Sequence, residues 1–558
     1  MHLMSGMSLY GVQRPEADAA APRHLPGPVG TPVARTARST DHRWLVGVCV
    51  LFGALSLVLV PPWLPLGWDE LVYLSRFAPY GPETPFSAPR TRGVPVLAAP
   101  VAAFSDSVTL LRCYLTALAS LALYLGHRPW LRLPYPARTP GAPPPVALAA
   151  ALYASVWFAL FYAGSAMPNH YVATGCLAAV GCFLRLLATR PTGTRPTRTR
   201  WAGTREGFLC ASGLCAALAV AALMRPNDAL WPALVLLAAL LLPYARGGFP
   251  GSVRRRMVTG AAIGAGLALG VLPWLVEAEI RFGGVAERLS LASDVQGGMR
   301  PAFSLSTHAA ALDGPLLCRP CHAEVGWASV AWWLLIPPLV ALGVRAACAR
   351  GRTGLAVLPV LAALAVAAPY LFLMDYAAPR FLFPAYALLA PVAASGVCAL
   401  LAAGPPGAAP RGRRRWLVPL AVVLAVAHLG YQLDQLATHA RVQAGAREDW
   451  QRTHRFLNAH GVRPPCVLDG NSALVPVAHA AGCRPRAHPR MDRAARASTV
   501  ATGHTVATSG TPDALVMRGR LLPAWAVEAG WRAQRVPGTY DPRWHVAFPP
   551  GPVLGAGR

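Results

Sequence analysis

Trp68-Asp69-Glu70-Leu71-Val72-Tyr73 puts two adjacent carboxylates just beyond a long apolar run, residues 44–65. Acids are scarce in this chain: 24 Asp and Glu stand against 51 basic residues. An acidic pair at the mouth of a membrane span has two readings. It caps a helix at the interface, or it holds a general base that takes a proton from a nucleophilic hydroxyl. Other polar residues border the apolar runs: Glu83, Arg90 and Arg92 in the same loop, then Asn169 and His170, Arg225 and Asp228, and Asp375, Tyr376 and Arg380. Arginine grips phosphate with paired donors, so carboxylates and guanidiniums on one membrane face suit a phosphate-bearing substrate. Each residue also has a plainer reading. Arg225 pairs with Asp228, Arg380 pairs with Asp375, and His170 caps a helix.

The elements that position these groups are membrane spans. With 54% hydrophobic and 13% charged residues in 558, a single soluble core is excluded. Runs of about 20 apolar residues mark transmembrane helices. About eleven are expected: 44–65, 107–126, 145–165, 170–189, 207–224, 227–244, 257–278, 327–346, 354–374, 380–403 and 416–433.

The formal charge of +27 suggests nucleic acid, but its distribution argues against that partner. Every basic residue is Arg, and the arginines gather in alternate loops: Arg35, Arg38 and Arg43; Arg128, Arg132 and Arg138; Arg190, Arg195, Arg198, Arg200 and Arg205; Arg246 and 254–256; Arg345, Arg350 and Arg352; Arg411 and 413–415. With eleven spans these loops share the side of the N-terminus. The positive-inside rule then makes the N-terminus cytoplasmic and the C-terminus extracytoplasmic in a multi-pass cell-membrane protein. Arg in place of Lys, with abundant Ala, Gly and Pro, points to a GC-rich bacterial coding sequence.

Residues 1–43 read as a disordered cytoplasmic tail, 44–433 as the transmembrane domain, and 434–558 as an outer domain. The outer loop 66–106 contains a short apolar stretch, Val94 to Phe104, expected as an interfacial or re-entrant helix. A second outer loop spans 279–326. In the tail, Arg447–His460 and Ser472–Ala481 read as helices, and 466–468, 514–517 and 546–548 as strands, a small α/β unit without a nucleotide-binding glycine pattern. Four of the twelve cysteines fall outside the spans. Cys466 and Cys483 would staple a strand to the following helix. Cys318 and Cys321 form a structural disulfide, a redox pair, or half a zinc site with His308 and His322.

The first-loop motif Trp68-Asp69-Glu70-Leu71-Val72-Tyr73 resembles that of GT-C glycosyltransferases, such as protein O-mannosyltransferases and the bacterial aminoarabinose lipid A transferases. Arg380-Phe381-Leu382-Phe383-Pro384 is similar to the start of a late span in that superfamily. The first loop departs from it in carrying Arg90 and Arg92 where relatives often use Lys. The tail shows no β-trefoil or tetratricopeptide pattern.

The resemblance implies an all-α, GT-C-like polytopic fold and a polyprenyl-phosphate sugar donor. The acceptor would be a cell-envelope glycan, lipid or protein. Asp69 would be the base, Glu70 would orient the acceptor or share that role, and Arg380, Arg225, Arg90 and Arg92 would bind the donor phosphate. Asn169, His170, Asp228, Asp375 and Tyr376 would line the acceptor cavity. Some members of the family bind a divalent metal. Two other classes stay open: a transporter or flippase, and a non-catalytic membrane protein.

Overall fold

All eleven apolar runs fall on helices in the computed structural model, which describes residues 32–133, 144–188, 205–242, 253–319, 321–402, 411–471, 473–486 and 511–550. Arg138, Arg190, Arg195, Arg198, Arg200 and Arg246 lie outside the described residues, as does most of the expected N-terminal tail. Where that tail is described it is helical: α1 runs Pro32–Leu59 and starts well before residue 44. Beyond it come α2 (Trp68–Leu74), α3 (Gly93–Ala102) and α4 (Val108–His127). The third run is broken into α5 (Pro145–Ala154) and α6 (Trp157–Ala163), which meet at 79°. Next are α7 (Asn169–Ala188), α8 (Arg205–Met224), α9 (Pro226–Leu241) and α10 (Val253–Phe282).

The loop 279–326, expected on the outer side, folds in part into α11 (Val285–Gln296) and α12 (Leu305–Ala310). It leads to α13 (Trp327–Leu334), α14 (Ile336–Cys348), α15 (Thr353–Phe372), α16 (Phe383–Ala402) and α17 (Arg411–Ala459). Among the described residues nine helices are long and apolar enough to cross a membrane, ten if the bent pair counts as one, and α9 is shorter. The chain is a multi-pass membrane protein.

Burial sorts these helices. The α7 span is 83% buried, whereas the apolar window of α17 is 6% buried and presents its side chains outward. Small residues let the inner helices approach. On α10, Gly266 and Gly270 face α8 so closely that a Cβ would lie 2.6 Å from the Cys215 carbonyl and 2.4 Å from that of Ala219. This Gly-x-x-x-Gly spacing places both on one face of the helix. The break before α6 leaves a backbone donor that lipid cannot satisfy. Gln432 of α17 supplies the acceptor, its Oε1 receiving the Trp157 N–H at 2.8 Å. The Trp157 indole stacks on His439 of the same helix at 3.9 Å.

One feature of the tail differs from expectation. The last span and the expected helix at 447–460 form one 49-residue rod, α17, which runs straight into the C-terminal domain. That domain contains α18 (Leu474–Ala481), α19 (Ala524–Glu528) and strands β1 (Val467–Gly470), β2 (Arg484–Pro485), β3 (Ala514–Arg518), β4 (Arg532–Arg535) and β5 (Trp544–Phe548). The sheet order is β2-β1-β3-β5-β4. β1 is parallel to both β2 and β3, and β5 is antiparallel to β3 and β4. β2 and β4 escaped the sequence reading because neither carries the apolar alternation of a half-buried strand. A disulfide joins Cys466 to Cys483 and so ties the start of β1 to the residue before β2.

The α8–α10 contact is testable. Gly270→Leu should separate the two helices and lower the thermal midpoint in detergent, an overpacking cost of roughly 1–3 kcal/mol. Gly264→Leu on the same helix, where a Cβ meets nothing within 4 Å, should leave the midpoint nearly unchanged.

Candidate active site

The site is built on the first turn of α2, where Gly67 is the N-cap and Asp69 and Glu70 follow. Carboxylates are favoured there by the exposed backbone N–H groups. Consecutive helical residues point about 100° apart, and this separates two acids that the sequence makes look alike.

Glu70 turns inward and is sealed. Its Oε2 accepts the Gly67 N–H at 2.7 Å, and its Oε1 accepts the Ala166 N–H at 2.9 Å. The Arg112 guanidinium of α4 clamps both oxygens at 3.0 Å. Arg112 also donates to the carbonyls of Leu64, Pro65 and Gly164. Arg447 of α17 approaches Oε2 at 3.8 Å. Burial pushes the Glu70 carboxyl up, but Arg112 and Arg447 outweigh it and hold the group below its usual range. Glu70 was expected to orient the acceptor or share the base's role. The structure instead uses all its acceptor directions to fasten α2 to its neighbours.

Asp69 turns the other way. Its side chain is 34% exposed, against 5% for Glu70. Arg90 Nη2 donates to Oδ1 at 2.6 Å and Arg380 Nη2 to Oδ2 at 3.2 Å. Burial raises the Asp69 carboxyl, but Arg90 and Arg380, with Arg225 behind them, draw it below the ordinary aspartate value of 3.8. Asp69 is therefore ionised at neutral pH.

The two guanidiniums are themselves held in place. Arg90 lies over the Tyr73 ring at 4.9 Å. Its backbone carbonyl accepts from Arg288 at 2.8 Å, and Arg288, fully buried, also bonds Ala88, Trp274 and Glu277. Arg380 donates to the Leu316 carbonyl at 2.6 Å and the Tyr162 hydroxyl at 3.0 Å. Asn169 Nδ2 donates to the Arg380 carbonyl at 3.1 Å. The Leu316 segment is braced by Cys318, whose backbone pairs with Ala377 and whose sulfur is bonded to Cys321. The Cys318–Cys321 pair is thus a disulfide beside the site. His308 is buried at 3.4 Å from the Tyr370 carbonyl.

The remaining candidates divide. Arg225 binds Asp228 at 3.2 Å, and Asp228 accepts the Tyr370 hydroxyl at 2.6 Å. Tyr376 packs edge-on to Phe381 at 5.9 Å with Arg319 over its ring. Three others are not brought to Asp69. Arg92 binds Glu277 and stacks on Phe86. Asp375 pairs with Arg300 at the surface rather than with Arg380. His170 is enclosed in the bundle between the Tyr153 hydroxyl and the Ala119 carbonyl, and stacks on Phe52.

Sequence reasoning passed over Arg112, Glu277, Arg288, Arg447, Tyr162 and Tyr370. A signal existed for two of them: Arg112 and Glu277 are ionisable residues inside apolar runs, where charge is rarely placed without purpose. Two guanidiniums engage the open carboxylate, and no three His, Cys, Asp or Glu come together among the described residues.

No protein-family model matches the sequence, and no curated protein does. Solved structures do match by shape. ArnT from Cupriavidus metallidurans bound to undecaprenyl phosphate superposes with a TM-score of 0.55 at 14% identity, covering 90% of this chain and 97% of that one. This chain has a GT-C-like fold. The apo state of the same protein gives a TM-score of 0.54, also at 14% identity, covering 92% and 98%. AglB, an oligosaccharyltransferase of Archaeoglobus fulgidus, scores 0.48 at 14% identity over 85% of this chain and 69% of its own.

The inward and outward acids should separate experimentally. Removing one partner of a buried ion pair costs roughly 3–5 kcal/mol. Glu70→Ala should therefore fold poorly or melt early in detergent, while Asp69→Asn melts within a few degrees of wild type. Equal midpoints for the two variants would refute the anchoring role of Glu70.

Proposed function

We propose that this protein is a membrane glycosyltransferase that moves a sugar from a polyprenyl-phosphate donor to an acceptor hydroxyl. The observation that carries the reading is Asp69: a carboxylate bracketed by two fixed guanidiniums, Arg90 and Arg380, yet still partly open to solvent. The GT-C-like fold shared with ArnT, whose structure holds undecaprenyl phosphate, supports it. With the Arg-rich loops in the cytoplasm, Asp69 and the C-terminal domain face the outside.

In this reading the acceptor oxygen attacks the anomeric carbon from the face opposite the phosphate. Its proton passes to Asp69 as the new C–O bond forms. The bond from the anomeric carbon to the phosphate oxygen breaks, and its electron pair leaves with the polyprenyl phosphate. Arg380 and Arg90 stabilise that charge, with Arg225 behind them. Fixed donors aimed at developing charge need no reorganisation during the reaction. Arg380 meets this condition best, being held by Leu316 and Tyr162 as well as by Asp69.

Asp69→Asn keeps the shape and removes the base. Sugar transfer by the purified protein in nanodiscs should fall by about 10²–10⁴-fold. Near-normal turnover would end the proposal that Asp69 is the base.

A second test uses pH. Asp69 has a depressed pKa, so its basic form is present above that pKa and is lost as pH falls through it. Removing Arg380 removes one of the charges that depress it. The acid limb of the kcat/KM profile should move to higher pH in Arg380→Ala, alongside weaker donor use. An unmoved limb would show that Asp69 does not govern the profile.

A further inference from the structure

The sheet of the C-terminal domain is covered unequally. On β3, Ala514 and Val516 pack with Leu457 of α17 and with Val477 and Ala478 of α18. Leu515 and Met517 point to the other face, where they are buried in a smaller cluster with Ala526, Trp531 and Ala547. A crevice of about 350 Å³ remains at the carboxyl ends of β1 and β3. From β1 the chain crosses through α18 to β2 on one side, while β3 lies on the other. Such reversal points are where open α/β sheets bind ligands, and the volume falls in the usual range for a small-molecule site, roughly 300–1,000 Å³.

The lining mixes two chemistries: the polar Asp469 and Asn471, and the apolar Leu515, Met517, Leu522 and Trp525. The Asp469 side chain is 32% exposed. Its Oδ1 accepts the Gly470 N–H at 2.7 Å and its Oδ2 lies 3.5 Å from Arg486. Asn471 Oδ1 accepts the Arg518 N–H at 2.9 Å, which fixes the amide so that its nitrogen is the end left to donate elsewhere. Trp525 is held edge-on against Trp531 at 5.5 Å and keeps 40% of its surface exposed. An acceptor, a donor and a flat apolar ring in one crevice match the neighbouring hydroxyls and the C–H face of a sugar. The Asp469 carboxylate disfavours a phosphate or carboxylate ligand in the same place.

We propose that this crevice binds a neutral sugar residue of a glycan chain. The assignment deepens the function proposed above by naming the acceptor class, and it rests on that reading only for the use made of the bound glycan. The domain is tied to the first outer loop at two points: Arg447 of α17 reaches Glu70, and His479 of α18 bonds the Tyr80 carbonyl at 2.6 Å. A glycan held here keeps a fixed relation to the loop that carries Asp69.

The test is binding to the full-length protein in nanodiscs, separate from any transfer assay. The probes are end-labelled neutral hexasaccharides of glucose, mannose, galactose and arabinose. At least one should bind saturably, with a Kd in the roughly micromolar to millimolar range. Asp469→Ala and Trp525→Ala should each weaken that binding by about tenfold or more, with unchanged elution on size exclusion. Asp69→Asn should retain it while losing transfer. The proposal is overturned if no probe binds saturably, or if both crevice variants bind as wild type does. Normal transfer by Asp69→Asn would instead remove the catalytic reading and leave the crevice standing.

Discussion

The buried carboxylate of Glu70 is the constraint on which the rest of the candidate site depends. It joins α2 to the α4 span through Arg112, to the turn before α7 through the Ala166 N–H, and to α17 through Arg447. A carboxylate taken from water costs several kcal/mol unless its charge and lone pairs are met, and here they are met by two backbone N–H groups and a two-pronged guanidinium. Arg112 extends the same network to the carbonyls of Leu64, Pro65 and Gly164, where the chain leaves regular helix and needs donors. The direction of Asp69 follows from this anchoring. Once Glu70 is fixed inward, the helical step fixes its neighbour toward Arg90 and Arg380.

The same node couples the C-terminal domain to the site. Arg447 is 5% exposed on its side chain, and its Nε and Nη1 find no acceptor among the described residues. A buried guanidinium met on one edge only is a costly arrangement, and Glu70 is the carboxylate that holds it. Because α17 is one continuous helix, a shift of the domain moves Arg447 against Glu70. The domain and the first loop are then mechanically one piece, reinforced by the His479 bond to Tyr80.

The sequence showed the spans well, because membrane helices announce themselves by length and apolarity alone. It also singled out Asp69 and Arg380, whose side chains meet although they lie 311 residues apart. What it could not show was which acid of the pair faces the site. That depends on partners scattered at Arg112, Ala166 and Arg447, and no local pattern carries them. The break at Ser155–Val156 was hidden for a similar reason: its exposed backbone donor is satisfied by Gln432, from a distant helix. Arg92 and His170 were drawn into the expected site by nearness in sequence to Arg90 and Asn169. Packing sends Arg92 to Glu277 and encloses His170 among Tyr153, Phe52 and Ala119.

Charge balance gives the arrangement its direction. Around Asp69 stand three guanidiniums, Arg90, Arg225 and Arg380, and two carboxylates, Asp69 itself and Asp228. One positive charge is left over in a place only partly open to solvent. A phosphodiester carries one negative charge, so a lipid-phosphate sugar fits the deficit. Arg90 and Arg380 spend donors on Asp69, which makes that carboxylate a weak base. A phosphate that draws those donors to itself also weakens their hold on Asp69 and raises its basicity. Under the proposed function the two arginines would thereby link donor binding to activation of the base: the carboxylate would gain proton affinity when there is a sugar to transfer, and the leaving phosphate would meet donors that are already in place.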